Sequence, residues 1–237
     1  MEDLWMPGAA PPVLVQRSRL YSHIRGFFSS RNVLEVETPL LCSSTATDPH
    51  LASMGVQQGE QPYFLQTSPE FAMKRLLAAG SGPIYQICKA FRNDEQGPFH
   101  NPEFTMVEWY RPGFVLEELI AEISALVQFL ASEFGVEGWD TPKKASYQQV
   151  FEDQFGINPH RATTPELAEI ASGRLDFSGA TLNRDGWLNL LMGQVVEPAL
   201  GPGPVFVYIV VALVPSSCAG DGVQDLCRPS LLTNKCS

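Results

Sequence analysis

The sequence predicts an α+β protein, and three observations carry that prediction. Two segments of strand character, residues 84–92 and 104–110, are joined by a polar loop, the arrangement of an antiparallel hairpin. Stretches with helical periodicity lie on both sides of them, at about 14–31 and 115–134. The chain has 237 residues with 44% hydrophobic content, enough to bury a core and to exclude wholesale disorder.

Each element has its own signal. Residues 1–12, with Pro7, Pro11 and Pro12, read as a loose leader. Leu20, Ile24, Phe27 and Phe28 then form one apolar helical face. Residues 33–41 are partly β-branched and are interrupted by Pro39, so they read as an extended segment at an edge or bend. Residues 42–62, rich in Ser, Thr, Gln and Gly, read as loop, and 63–67 as a strand. Ser68, Pro69 and Glu70 suit the cap, first position and first turn of a helix that stops at Gly80. After the hairpin, Leu116, Leu119, Ile120, Ile123, Leu126, Val127, Leu130 and Phe134 make a continuous stripe, closed by Gly135. A hydrophilic link at 140–144 leads to three shorter helices, the third over about 185–196, and a last strand at 204–208.

Composition narrows the function classes. With 26 acidic and 16 basic residues the net charge is −10, against non-specific binding to nucleic acid or anionic lipid. The start of the chain has neither a basic n-region nor an apolar h-region. The longest apolar run, 205–214, is about half of a membrane span, so no membrane partner is expected. Five scattered cysteines without a CxxC pair fit a cytoplasmic protein with free thiols.

The chemistry concentrates in the hairpin. Its second strand alternates so that Phe104, Met106, Glu108 and Tyr110 share one face. An Arg at a strand end, Arg92, can grip a phosphate, and a flat ring on the next strand can stack on a base. No GxxxxGK[ST] and no GxGxxG is present, so a nucleotide would bind on the antiparallel sheet itself. A plainer reading stands beside this one: a solvated sheet face with an ordinary charge network. Taken singly, Ser68-Pro69-Glu70 is a good helix start, Tyr110 an interfacial tyrosine and His100 a surface loop residue; only their joint spacing argues otherwise.

That spacing resembles a known family. Residues 91–95 (FRNDE), followed by 100–106 (HNPEFTM) and 108–110 (EWY), look like motif 2 of the class II aminoacyl-tRNA synthetases in its lysyl form. Residues 27–41 resemble motif 1, and 65–70 (LQTSPE) resemble the amino-acid loop. With only a short leader before motif 1, the chain is similar to the stand-alone lysyl-type members that join β-lysine to translation elongation factor P. The resemblance runs over residues 13–208 and implies an antiparallel sheet flanked by helices, assembled as a homodimer through motif 1. It implies ATP as a substrate, with Mg²⁺, and activation of lysine or β-lysine as an acyl-adenylate. Transfer would then go to a lysine of elongation factor P, with no tRNA expected. By the same resemblance Arg92 would hold the α-phosphate, with Asn93, Asp94 and Asn101 contacting ATP and Phe104 stacking on adenine. His100 would lie near the outer phosphates. Ser68, Pro69 and Glu70 would bound the amino-acid pocket, with Glu70 facing an ammonium, and Tyr110 would contact the same substrate. The family usually has Glu where Asp94 stands, one methylene longer.

The sequence departs from the family after Tyr208. The third motif, a glycine-rich segment ending in Arg, and the acidic strand that supplies Mg²⁺ ligands are expected to be missing. Residues 209–237, with Cys218, Cys227 and Cys236 nine apart, are expected to be an unrelated, frameshifted tail. Two further function classes follow: a synthetase-like binding module without chemistry, and lysine–tRNA ligation.

Overall fold

The computed structural model describes residues 8–48, 51–93, 97, 100–139, 142–176, 179 and 181–209. The chain divides into two compact units, one running to Val115 and the other starting at Leu116.

In the first unit, helix α1 spans Pro11–Ser29 and starts three residues before the expected Leu14. Pro11 and Pro12 open it because the first helical N–H groups lack intrahelical partners anyway. Its apolar face buries Ile24, Phe27 and Phe28. Strand β1 (Leu34–Glu35) pairs in parallel with β5 (Ile84–Phe91), and β5 pairs antiparallel with β6 (Glu103–Tyr110). Phe28, fully buried, lies against this sheet, its ring 4.5 Å from Tyr85 and 5.3 Å from Trp109. Helix α1 therefore covers the face bearing Tyr85 and Trp109, and the opposite face carries Gln86, Cys88, Phe104, Glu108 and Tyr110.

A second sheet corrects the expectation of a loop over 42–62. Strands β2 (Leu41–Cys42), β3 (Gly55–Gln58) and β4 (Gln61–Leu65) are antiparallel, in the order β2-β4-β3. The β3–β4 turn uses Gly59 at φ 61°, open to glycine without strain. The hairpin is mostly solvent-exposed and Gln-rich, so it lacks the apolar alternation that announces a strand. Helix α2 covers Glu70–Ala78, with Pro69 as its N-cap residue, one place later than expected. Ser68 still serves the helix start, its hydroxyl accepting the Glu70 amide at 3.1 Å.

The second unit begins with α3 (Leu116–Phe134), closed by Gly135 at φ 65°. The hydrophilic link expected at 140–144 instead runs into β7 (Lys143–Ser146), which pairs in parallel with β8 (Val205–Tyr208). Helix α4 (Tyr147–Phe155) is capped by Ser146, whose hydroxyl accepts the Gln149 amide at 3.0 Å. Helix α5 (Thr164–Arg174) opens with a full capping box between Thr163 and Glu166. The Thr163 amide and hydroxyl both donate to Glu166 Oε2 at 2.7 Å, and these hydrogen bonds, backbone first, hold the Glu166 carboxyl below its ordinary range. Helix α6 (Arg184–Leu191) passes into a π turn at Met192–Val196, within the span expected to be one plain helix. Phe151, Leu167, Leu191 and Val196 form the centre of this unit's core.

Candidate functional site

The front face of β5 and β6 brings together most of the residues singled out in the sequence. Register pairs Gln86 with Glu108, Cys88 with Met106 and Ala90 with Phe104. The segment between β4 and α2 lies against this face. Ser68 donates its hydroxyl to Glu108 Oε2 at 2.7 Å, and Tyr110 donates its phenol to Glu108 Oε1 at 2.6 Å. Both oxygens of this half-buried carboxylate are thus held by hydroxyl donors, at charge-assisted distances. The alternation of β6 shows Glu108 but does not single it out as a site residue, because a carboxylate on an alternating strand also fits a solvated face.

Beside Glu108 on the neighbouring strand, Gln86 is 2% exposed and accepts from the Thr38 hydroxyl at 3.0 Å. Next along the face, Cys88 is buried, and burial pushes its thiol up to about 11 against the lowering hydrogen bond from Gln66.

At the far end of β5, the Arg92 guanidinium carbon stands 5.1 Å from the Phe104 ring centroid, within cation–π range. Its Nε donates to the Thr67 carbonyl at 3.4 Å, and its backbone amide donates to the Pro102 carbonyl at 2.9 Å. The hairpin loop is thereby tied back onto the strand end that carries the guanidinium. Asn93 is exposed and anchored by its amide to the Ala52 carbonyl at 2.9 Å. Asn101 and His100 are exposed on the loop just before β6. Asp94 lies outside the described residues, as does the stretch 210–237 with its three cysteines.

Glu70 takes a geometry that its expected role does not foresee. Its carboxylate pairs with Lys74 one turn along α2, Nζ to Oε1 at 2.9 Å. Pro69 is fully buried between Ser68 and Glu70, fixing the entry of α2 beneath the site. The arrangement offers a cation and a flat ring at one end and a hydroxyl-bound carboxylate with a phenol at the other. That pair suits an anionic nucleotide next to a cationic group. Among the described residues no three His, Cys, Asp or Glu side chains form a group that could hold a metal ion. Among them, too, no helix is long and apolar enough to cross a membrane.

Comparison with known proteins places the chain in a family. The family model for tRNA synthetases class II (D, K and N) matches residues 8–175. An elongation factor P–(R)-β-lysine ligase of Pseudoalteromonas translucida is 47% identical over 216 residues, covering 87% of this chain and 64% of the relative. Its namesake in Photobacterium profundum is 42% identical, covering 88% of this chain and 65% of the relative. That of Edwardsiella ictaluri is 45% identical, at 88% and 66%. The chain thus spans about two thirds of the length of these relatives, 64% to 66%.

Proposed function

The chain belongs to the class II tRNA synthetases (D, K and N), and on that premise we propose that it acts as an ATP-dependent ligase for lysine or (R)-β-lysine. Residues 13–208 make up its catalytic domain in this reading, and elongation factor P is the acceptor. The names of relatives 42% to 47% identical to it support that choice. The observation that carries the reading is the pairing on one sheet face of Arg92 over Phe104 with Glu108 between Ser68 and Tyr110.

The chemistry assigned to these residues is as follows. The substrate carboxylate attacks the α-phosphorus of ATP, and the bond to pyrophosphate breaks. Arg92 stabilises the negative charge that develops on the α-phosphoryl oxygens. Phe104 stacks on adenine, and Asn93, Asp94 and Asn101 flank the nucleotide. Ser68, Pro69, Glu70 and Tyr110, with Glu108, bound the amino-acid pocket, where carboxylates attract the substrate's ammonium groups. A lysine amine of elongation factor P then attacks the acyl carbonyl, an amide bond forms, AMP leaves, and the amine's surplus proton passes to solvent. The 27–41 segment joins two copies into the homodimer of this reading.

The test is ATP–pyrophosphate exchange by the full chain with lysine and with (R)-β-lysine, followed by intact-mass analysis of elongation factor P. Amino-acid-dependent exchange and a β-lysyl or lysyl adduct on the factor are expected. Absence of exchange with both amino acids, or transfer to tRNA in place of the factor, overturns the assignment.

A further inference from the structure

Three consecutive residues between β4 and α2 each engage a different level of the β5–β6 hairpin. Gln66 accepts the Phe91 amide on its carbonyl at 2.9 Å, and its side-chain amide donates to the Lys89 carbonyl at 2.8 Å and to the Cys88 sulfur at 3.5 Å. The Gln66 backbone amide reaches the other way, to the Leu40 carbonyl at 2.9 Å. Thr67 offers its carbonyl to Arg92 Nε, and Ser68 its hydroxyl to Glu108. Strands β4 and β5 belong to different sheets, so the bonds of Gln66 join one sheet to the other. Gln66 is 6% exposed, and a primary amide so buried keeps its place only where its hydrogen bonds are made.

Arg92 follows Phe91 directly, and Ser68 lies two residues beyond Gln66. We propose that Gln66 is a positioning residue, fastening the Ser68–Glu70 segment to the Arg92 end of β5 so that one buried amide sets the spacing between the two halves of the site. The inference rests on the function proposed above, in which those halves take the amino acid and the nucleotide. Gln66 acts through Arg92 and Ser68.

Gln66→Met keeps the length of the side chain and removes its donor. Amide hydrogen exchange of the full chain without ligand is the first readout. We expect exchange to rise about 10-fold at Phe91, Arg92 and Asn93 and also at Ser68 and Glu70, with α5 amides unchanged, as a lost buried hydrogen bond implies. In pyrophosphate exchange the KM for ATP and the KM for lysine should rise together, each about fivefold or more. Gln66→Glu is the second variant. Its ionised carboxylate cannot donate to the Lys89 carbonyl, but its protonated form can, so protection should return as pH falls from about 7 to about 5. A rise at only one of the two segments, a change in one KM alone, or a pH-independent Gln66→Glu variant overturns the proposal. If the unmutated chain shows no exchange with lysine or β-lysine, the proposed function fails, and amide exchange still decides the role of Gln66.

Discussion

Ser68 and Glu108 are 40 residues apart in sequence, and 2.7 Å separates the hydroxyl of one from Oε2 of the other. That contact ties the entry of α2 to the middle of β6, and Tyr110 closes the same carboxylate from its other oxygen. Two residues expected to meet a substrate thus meet first on a third, Glu108.

The shared carboxylate makes Ser68 and Tyr110 energetically dependent on one another. Ser68→Ala and Tyr110→Phe should each raise the KM for the amino acid, and the double variant should depart from their sum by about 1 kcal/mol. A double-mutant cycle on pyrophosphate exchange measures this. Strict additivity would mean that the two hydroxyls act separately.

In the proposed function Arg92 serves the nucleotide half of the site. Arg92→Ala should lower lysine-dependent pyrophosphate exchange by at least about 100-fold, the scale of losing a charged transition-state donor. Phe104→Leu should act mainly on the KM for ATP, because a stacking ring binds ground and transition state alike. A rate within a few-fold of the unmutated chain for Arg92→Ala would remove it from the chemistry.

Tyr85 gives the fold an alkaline limit. Burial first, then its hydrogen bond to Glu35 at 2.9 Å and that carboxylate's charge, push the phenol from 10.0 up to about 12, while Arg25 opposes them. Because the folded value is the higher one, the stabilisation is complete below pH 10 and is lost as pH rises towards about 12. Tyr85→Phe should flatten that decline by about 2 kcal/mol, read from denaturant unfolding at several pH values.

Cys88 should be slow to alkylate. With its thiol pushed up to about 11 and only 8% of the residue exposed, roughly one molecule in a thousand carries the thiolate at pH 8. Iodoacetamide followed by peptide mapping should label Cys42, which is less buried, well before Cys88. Equal rates would show that the front face opens readily.

The hairpin is the most legible part of the chain. Its strands, expected at 84–92 and 104–110, stand at Ile84–Phe91 and Glu103–Tyr110, because alternation and a polar loop leave little freedom of register. The β3–β4 pair is hidden in the sequence because its exposed Gln and Gly residues bury little and so leave no apolar pattern. The Glu70–Lys74 pair is readable at i, i+4, yet the resemblance to a substrate loop assigns Glu70 a different partner. Gln66 cannot be found by pattern, since its partners, backbone groups and the Cys88 sulfur, become neighbours only when the two sheets meet.

The packing of Phe28, stacked on Tyr85 and tilted against Trp109, has an optical consequence. Trp109 is one of four tryptophans, and it sits between Glu108 and Tyr110 in sequence with its indole on the reverse side of the strand. Its emission and near-ultraviolet dichroism therefore view the front face from behind, without touching what binds there. If a ligand on the front face shifts β6, the ring geometry around Phe28 shifts with it, and a change in Trp109 fluorescence, isolated by replacing the other three tryptophans, would report it.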